Sequence, residues 1–196
     1  MEASNGYESC AEEFITARDT FIGVGLVRDW VRRLPRRACV LDLGCGHGVP
    51  VTQTLVEEGA RVYGVDASPS LVIAFHRRFP GCPVACEPAE ESDFFGRTFD
   101  GVIASGLMFL LHPGAQALLI RRAATALVPG GSFLFTAPAQ VATWADVLTG
   151  RTSTSLGAEA YRAALAGAGL ALVAEHDDEG GNHYYEARAS RRSSAA

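Results

Sequence analysis

One segment constrains the fold of this chain more than any other: residues 40–48 read VLDLGCGHG. An apolar run leads into an acid, Asp42, and then into alternating glycines, Gly44, Gly46 and Gly48. A buried strand that turns sharply into a helix has this pattern. Glycines let the backbone turn tightly and approach a ligand that a side chain would exclude. The segment therefore predicts a ligand at a strand-to-helix turn.

A second acid follows at the end of the next strand-like segment. Residues 61–65 form a strand-like apolar run that ends in Asp66. An acid at the end of the second strand of a βαβ unit binds the hydroxyls of a ribose. The alternative is that Asp66 only caps the next helix. Together with the glycine turn, Asp66 predicts a cofactor that contains a nucleoside.

The order of apolar runs and turn residues predicts an α/β fold. We expect strands at residues 38–43, 61–65, 83–86, 99–105, 132–137, 170–175 and 183–187, with helices between most of them. Alternating strands and helices form a parallel sheet covered on both faces. The last two strands surround a polar turn and form an antiparallel hairpin. The prediction is a Rossmann-like three-layer αβα sandwich with a mostly parallel seven-stranded sheet and an antiparallel last strand.

Bulk composition excludes several classes of protein. The chain has 196 residues, 48% of them apolar, which suits one globular domain. Its formal net charge of −5 opposes nucleic-acid binding. No apolar run reaches the ~18 residues of a membrane span, and the polar N-terminus is unlike a signal peptide. Five cysteines without paired spacing favour reduced thiols. We therefore expect a cytoplasmic monomer or homodimer without nucleic-acid or membrane partners.

The chain divides into three parts by composition. Residues 1–34 carry short helical patterns and are predicted to form an N-terminal helical lid, although a frayed tail is the alternative for the first twenty. Residues 35–189 hold the main α/β domain. Residues 190–196, rich in serine and arginine, predict a disordered tail. Residues 138–155 show no regular pattern and are expected to form a loop.

Two residues distinguish the glycine turn of residues 40–48 from the dinucleotide-binding pattern G-x-G-x-x-G. Val49 stands where the third glycine would be, and Asp42 places negative charge where a pyrophosphate would lie. A carboxylate at that position suits a ligand with a cationic end.

Four segments together resemble the class I S-adenosylmethionine-dependent methyltransferases. These are residues 40–48, residues 62–66, the FDGVIASG segment at 99–106 and the LVPGGSFLF segment at 127–135. The resemblance covers about residues 35–190 and is closest to the small, single-domain kind that methylates small molecules. It implies S-adenosylmethionine as the cofactor and S-adenosylhomocysteine as its product.

The resemblance also implies a set of cofactor-binding residues. Asp42, Gly44 and Gly46 match the motif facing the methionine part, and Asp66 and Ala67 match the ribose and adenine side. Glu87 and Glu91 compete with Glu90 for the adenine edge. The full predicted set is Arg18, Asp42, Gly44, Gly46, Asp66, Ala67, Ala89, Glu90 and Ser105.

Methyl transfer needs a general base only when the acceptor arrives protonated. The predicted catalytic residues are His183, within the run GGNHYY, and His112, after the apolar residues 107–111. The alternatives are a hairpin of packed aromatics for His183 and a solvent-exposed helix start for His112. His47, in the glycine turn, is expected to pack beside the cofactor.

The predicted substrate contacts are Tyr7, Met108, Trp144 and Tyr184, with core packing as the alternative for Met108. Trp144 suits an aromatic or cationic acceptor. Neither an acid pair beyond the fifth strand nor zinc-type cysteine spacing is present, so no catalytic metal is predicted.

The predicted function is metal-independent transfer of a methyl group to oxygen or nitrogen of a small molecule, by in-line displacement. The alternatives are a nicotinamide-dependent oxidoreductase and a non-catalytic module that binds S-adenosylmethionine. Methylation of RNA or protein is disfavoured by the charge and the size of the chain.

Overall fold

A computed structural model describes residues 4–191. Nine strands lie within these residues: β1 (Cys39–Leu43), β2 (Arg61–Asp66), β3 (Val84–Cys86), β4 (Phe99–Ala104), β5 (Leu127–Thr136), β6 (Val141–Ala145), β7 (Thr152–Leu156), β8 (Leu170–Asp177) and β9 (His183–Ala189). The helices are α1 (Ala11–Ala17), α2 (Val24–Arg32), α3 (Val51–Glu57), α4 (Pro69–Arg78), α5 (Pro113–Ala126) and α6 (Ala158–Gly167), with short 3-10 turns at Phe94–Gly96 and Met108–Leu110.

The main sheet has seven strands in the order β3-β2-β1-β4-β5-β9-β8. Strands β1 to β5 pair in parallel, whereas β9 is antiparallel to both β5 and β8. The predicted Rossmann-like αβα fold is therefore confirmed. The chain order reverses between β1 and β4, and ligands of such sheets bind outside the carboxyl ends of the strands at this point.

Strand β1 is buried throughout because both faces of the sheet are covered. Its side chains alternate between two apolar layers. Val40 packs in the layer that holds Trp30 of α2, and Leu41 and Leu43 pack in the layer that holds Phe133 of β5. This double burial explains the continuous apolar run that precedes the glycines.

Two expected segments differ in the structure. Strand β5 begins at Leu127, ahead of the expected start at residue 132, and its register with β4 shifts between Phe99 and Gly101. Residues 138–155 are not an irregular loop.

The segment expected to be a loop holds an antiparallel hairpin of β6 and β7, separate from the main sheet. Its turn is held by Asp146, whose Oδ1 accepts hydrogen bonds from the backbone N–H groups of Leu148 at 3.1 Å and Thr149 at 2.8 Å. An acid that accepts from the next residues of its own chain stabilises a turn.

Two further expectations concern the C-terminal tail and a membrane span. The predicted disordered tail, residues 190–196, lies outside the described residues from residue 192 onward. Within residues 4–191, no helix combines the length and the apolarity that a membrane span requires.

Candidate active site

A cavity of about 870 Å³ lies at the carboxyl ends of the central strands. It extends from the glycine turn after β1 and the end of β2 to the β6–β7 hairpin and the start of β9. Ligand pockets usually measure about 300–1,000 Å³, so this cavity is near the upper end of that range. Its size suits two ligands side by side.

The glycine turn forms one wall, and only glycine fits there. Gly44 and Gly46 have φ values of +67° and +54°. A Cβ atom on Gly44 would lie 3.1 Å from Leu107 Cβ, and one on Gly46 would lie 3.1 Å from Phe14 Cε1. The turn is fixed to β2, because the N–H groups of Gly44 and Cys45 both donate to the Val65 carbonyl oxygen. Backbone therefore faces the cavity directly.

Asp66 faces the ligand space and also fixes the chain just before α4. It lines the cavity, and its Oδ2 accepts a hydrogen bond from Gly46 N at 2.8 Å. Its Oδ1 accepts from Ser68 N at 2.9 Å, just before α4. Burial, and to a smaller extent the Glu8 carboxylate, raises the pKa of Asp66. The acid thus joins the glycine turn to the next helix while facing the ligand space.

Asp42 lies on the same wall and is only 1% exposed. Its Oδ2 accepts a hydrogen bond from Thr52 Oγ1 at 2.6 Å, and its Oδ1 accepts none from residues 4–191. Burial is the largest cause that raises the pKa of Asp42 to about 7, and nearby Asp66 raises it further. A buried carboxyl group with one unused oxygen can bind a cation.

Arg18 follows α1 directly and lies on the cavity wall. Its guanidinium carbon is 5.7 Å from the centre of the Phe14 ring. In the described part of the chain, no carboxylate forms an ion pair with it. Its charge is close enough to oppose the upward shift of the Asp42 pKa. A carboxylate ligand would therefore find an available partner here.

An apolar slot continues the cavity beyond Asp66. Ala67, Leu71 and Leu107 contribute to its lining, together with Ala89 and Glu90. A flat, mostly apolar ring system with polar edges suits these walls. Of the three acids that competed for this position, Glu90 lines the cavity, whereas Glu87 and Glu91 do not.

The N-terminal segment crosses the mouth of the cavity. On one side, the Glu8 carboxylate accepts hydrogen bonds from Ser68 Oγ at 2.5 Å, Ser70 N at 3.0 Å and Ser70 Oγ at 2.8 Å. These bonds lower the pKa of Glu8. On the other side, the Tyr7 hydroxyl donates to Asp146 Oδ2 at 3.1 Å. Residues 4–10 therefore connect the start of α4 to the β6–β7 hairpin.

The far end of the cavity carries aromatic and polar groups. Trp144 lines it and packs on Phe109, with ring centres 5.5 Å apart. Asp177, Asn182 and His183 line the opposite part of the wall.

The two predicted histidines differ in their positions. The Nδ1 atom of His183 lies 2.7 Å from Asp177 Oδ1. His112 does not line the cavity. It caps α5, and its Nδ1 accepts a hydrogen bond from Gly114 N at 3.3 Å in solvent. The structure therefore does not bring His112, which was predicted as a catalytic base, to the cavity, because α5 begins outside it.

Two predicted substrate contacts lie elsewhere. Met108 is fully buried in the main core and does not line the cavity, so the alternative, core packing, holds for it. Tyr184 is 3% exposed and lines a smaller cavity of about 170 Å³. Strand alternation directs it into the layer of Trp30, while His183 and Tyr185 point to the opposite face.

The buried hydroxyl of Tyr184 has polar neighbours. Burial raises the pKa of Tyr184 to about 12, while hydrogen bonding with Ser105 opposes the shift. Ser105 lines both cavities. Tyr184 therefore lies behind the wall residue Ser105 and does not face the main cavity.

His47 lies beside the glycine turn and is buried, with its ring 5.8 Å from that of Phe14. Burial is the largest cause that lowers the pKa of His47 to about 4. The imidazole is neutral at physiological pH.

Residues of the site that were missed from the sequence include the wall residues Phe109, Asp146 and Asp177, and Thr52, whose hydroxyl donates a hydrogen bond to Asp42. Asp177 pairs with His183 across the β8–β9 hairpin, so its position could have been found from the hairpin register. The other three depend on long-range packing. Within residues 4–191, no cluster of three or more histidine, cysteine or acidic side chains is arranged to hold a metal ion.

The fold and the cavity define a class of protein: a Rossmann-like domain whose switch-point site suits a nucleoside with a zwitterionic end. Residues 40–131 match a family model described as a methyltransferase domain. The matched residues include the glycine turn and Asp66, so this part of the chain is a methyltransferase domain.

Comparison with solved structures supports the same fold. The 1,6-didemethyltoxoflavin-N1-methyltransferase of Burkholderia thailandensis superposes with a TM-score of 0.72 at 21% identity, covering 97% of this chain and 92% of that one. That structure contains 1,6-didemethyltoxoflavin and S-adenosylhomocysteine. The CcbJ methyltransferase of Streptomyces caelestis superposes with a TM-score of 0.75 at 18% identity, covering 97% and 99% of the two chains.

A curated relative is similar over part of its length. The chain is 32% identical over 116 residues to a tRNA U34 carboxymethyltransferase of Cellvibrio japonicus. The match covers 54% of this chain and 35% of that protein. The chain therefore spans about a third of this relative.

Proposed function

We propose that the protein transfers the methyl group of S-adenosylmethionine to oxygen or nitrogen of a small molecule, without a catalytic metal. The observation that carries this proposal is the continuity of the cavity. One space of about 870 Å³ runs from Asp42 and Asp66 to Trp144 and His183. Cofactor and acceptor can therefore meet in a single continuous space.

The residues of the first half of the cavity fit the parts of the cofactor. Asp66 can accept hydrogen bonds from ribose hydroxyls, and the slot at Ala89 and Glu90 can take the adenine. Arg18 can pair with the carboxylate, and the unused Oδ1 of Asp42 can bind the ammonium group. When bound, S-adenosylmethionine supplies a methyl group activated by a sulfonium centre.

The chain itself contributes orientation and exclusion of water. Holding two reactants in line can supply up to about 7–11 kcal/mol of a barrier in favourable cases. We propose that residues 1–34 act as a lid over the domain formed by residues 35–189. The bonds of Glu8 and Tyr7 on opposite sides of the mouth support this role.

The charge of the wall favours a small acceptor over RNA. The described acids that line the cavity are Asp19, Asp42, Asp66, Glu90, Asp146 and Asp177, and Arg18 is the one arginine among the described lining residues. A phosphate backbone would meet repulsion there. The Burkholderia structure, which shares this fold, contains a bound small molecule as well as the cofactor product.

The tRNA enzyme of Cellvibrio japonicus favours a second candidate, an RNA acceptor. The charged side chains that line the cavity are mostly acids, which opposes an RNA acceptor, and so does the net charge of −5. We place the protein in the cytoplasm in this proposal, because all five cysteines are free.

Two measurements test the proposal. Isothermal titration with S-adenosylhomocysteine and with NAD should detect binding of the first only. Radiolabelled S-adenosylmethionine is then incubated with the protein and either a small-metabolite extract or bulk tRNA, each with and without EDTA. Label in a small metabolite in both conditions supports the proposal. Label in tRNA alone, loss of activity in EDTA, or cofactor binding without transfer would contradict it.

A further inference from the structure

The imidazole of His183 lies on the cavity wall, but both of its nitrogens are directed elsewhere. Nδ1 lies 2.7 Å from Asp177 Oδ1. Nε2 is buried without a hydrogen-bond partner and lies 3.7 Å from Glu175 Oε2. Glu175 is itself bound by Arg162 through two hydrogen bonds of 2.8 Å. His183 therefore offers neither nitrogen to a ligand in the cavity.

Asp177, unlike His183, has an atom that is available to a ligand in the cavity. It lines the cavity, and its side chain is 71% exposed. One oxygen, Oδ1, contacts His183, while Oδ2 has no hydrogen-bond partner among residues 4–191. The register of β8 and β9 places Asp177 directly opposite His183. A carboxylate is thus held by one oxygen and free to bind through the other.

The rest of this end of the cavity is aromatic and acidic. Phe109 and Trp144 form a tilted ring pair. Asp146 lies beneath the lid with its oxygens used by Tyr7 and the hairpin turn. Aromatic faces attract flat rings and cations, and an unpaired carboxylate attracts a cation.

From this arrangement we propose that Asp177, and not His183, meets the acceptor, and that the acceptor is an amine carried on an aromatic body. The ammonium group pairs with Oδ2 of Asp177, and the ring packs against Phe109 and Trp144. His183 is a positioning residue, whose Nδ1–H donates to Asp177 Oδ1 and leaves Oδ2 available. This inference rests on the proposed function, because it names the acceptor class of the same site.

The transfer balances with Asp177 as the proton acceptor. Oδ2 takes one proton from the ammonium group, which leaves a lone pair on nitrogen. That lone pair forms the bond to the methyl carbon while the carbon–sulfur bond breaks and its electron pair remains on sulfur. The products are a methylated ammonium, a neutral thioether and one proton, which passes from the exposed Asp177 to solvent.

Binding of three matched probes to the protein saturated with S-adenosylhomocysteine tests the acceptor class. The probes are 2-phenylethylamine, 2-phenylethanol and phenylacetate, which share a ring and differ in charge. We expect the amine to bind most tightly, and the variant Asp177→Asn to weaken it about tenfold, because a charge-assisted hydrogen bond is lost. The control Glu159→Gln removes an equal charge outside the cavity and should leave all three affinities unchanged.

Two substitutions of His183 test the positioning role. The amide of Asn in His183→Asn can still donate to Asp177, whereas His183→Leu has no donor. The first should keep amine binding close to the wild-type value, and the second should lower it to the level of Asp177→Asn. S-adenosylhomocysteine affinity, measured on every variant, should not change and also reports correct folding.

The outcomes separate the two proposals. A wild-type protein that binds no S-adenosylhomocysteine overturns the proposed function. A protein that binds it but prefers the alcohol or the carboxylate, or binds no probe, overturns the acceptor class alone. Equal amine binding by His183→Asn and His183→Leu overturns the positioning role.

Discussion

The Tyr7 hydroxyl donates a hydrogen bond to Asp146 Oδ2 across 3.1 Å, and this bond joins the N-terminal segment to the β6–β7 hairpin. The two residues are 139 positions apart in the chain. Burial, and then the Asp146 carboxylate, raises the pKa of Tyr7 above its ordinary value. The phenol therefore remains a donor at all physiological pH values, and the connection does not depend on pH in that range.

Loss of this bond should loosen the lid. A neutral hydrogen bond contributes about 0.5–1.5 kcal/mol, and a bond to a charged group contributes somewhat more. We expect Tyr7→Phe to speed dissociation of S-adenosylhomocysteine about three- to tenfold. Hydrogen exchange should become faster in residues 4–18 and stay unchanged in β1 and β4.

A matched control exists in Tyr63, whose hydroxyl contacts Arg97 outside the cavity. Tyr63→Phe should leave dissociation unchanged. Equal dissociation rates for Tyr7→Phe and the wild type would show that the bond does not hold the lid closed.

The ligand side of the fold could be predicted because its signals are local. The glycines of residues 40–48 and the acid after β2 occupy fixed positions relative to their strands. The β6–β7 hairpin was missed because it has no two-residue glycine turn and its second strand, TSTSL, has the composition of a loop. The role of Asp146 depends on its hydrogen bond with Tyr7. No local sequence pattern connects these two residues.

The acceptor side was less predictable for a related reason. Strand alternation places His183 and Tyr185 on one face of β9 and Tyr184 on the other. The direction of the His183 nitrogens depends on Glu175 and Asp177, which face it from the neighbouring strand. Sequence spacing fixes the strand but not the hydrogen bonds that orient the ring.

Asp42 should make cofactor binding depend on pH. Its pKa of about 7 lies above the ordinary value of 3.8. Its neutral form therefore stabilises the fold at low pH, and this stability is lost as the pH rises through about 7. The ammonium group of S-adenosylhomocysteine favours the ionised form, so affinity should rise about tenfold from pH 6 to pH 8.

Calorimetric titration across that range checks this expectation. Asp42→Asn should bind more weakly and show a flat profile. Thr52→Val removes the hydrogen bond that lowers the Asp42 pKa, so the midpoint should move to higher pH. A flat wild-type profile, or a downward shift in Thr52→Val, would contradict the role assigned to Asp42.

Alanine variants of two glycines distinguish the effect of backbone strain from the effect of filling the ligand space. Gly46 and Gly59 have φ values of +54° and +84°, and a non-glycine residue in this region costs about 1–2 kcal/mol. A Cβ on Gly46 would meet Phe14 at the cavity, whereas a Cβ on Gly59 meets nothing within 4 Å. Both alanine variants should lose similar stability in urea denaturation.

Only Gly46→Ala should also lose affinity for S-adenosylhomocysteine, by about tenfold or more, since about 1.4 kcal/mol corresponds to a factor of ten. Equal affinities for Gly46→Ala and Gly59→Ala would mean that the close approach at Gly46 does not serve the ligand.

Arg18 and Asp66 should be distinguishable by a shortened ligand. The nucleoside 5′-methylthioadenosine has the adenine and ribose of S-adenosylhomocysteine but no amino-acid end. Arg18 lines the cavity and has no ion pair among the described residues, so we expect it to pair with the ligand carboxylate. Arg18→Gln should weaken S-adenosylhomocysteine about tenfold, as expected for a partly exposed charged hydrogen bond, and leave 5′-methylthioadenosine unchanged. Asp66→Asn should weaken both ligands by similar factors, since both carry the ribose. If Arg18→Gln weakened both ligands equally, the guanidinium would hold the lid and not the carboxylate.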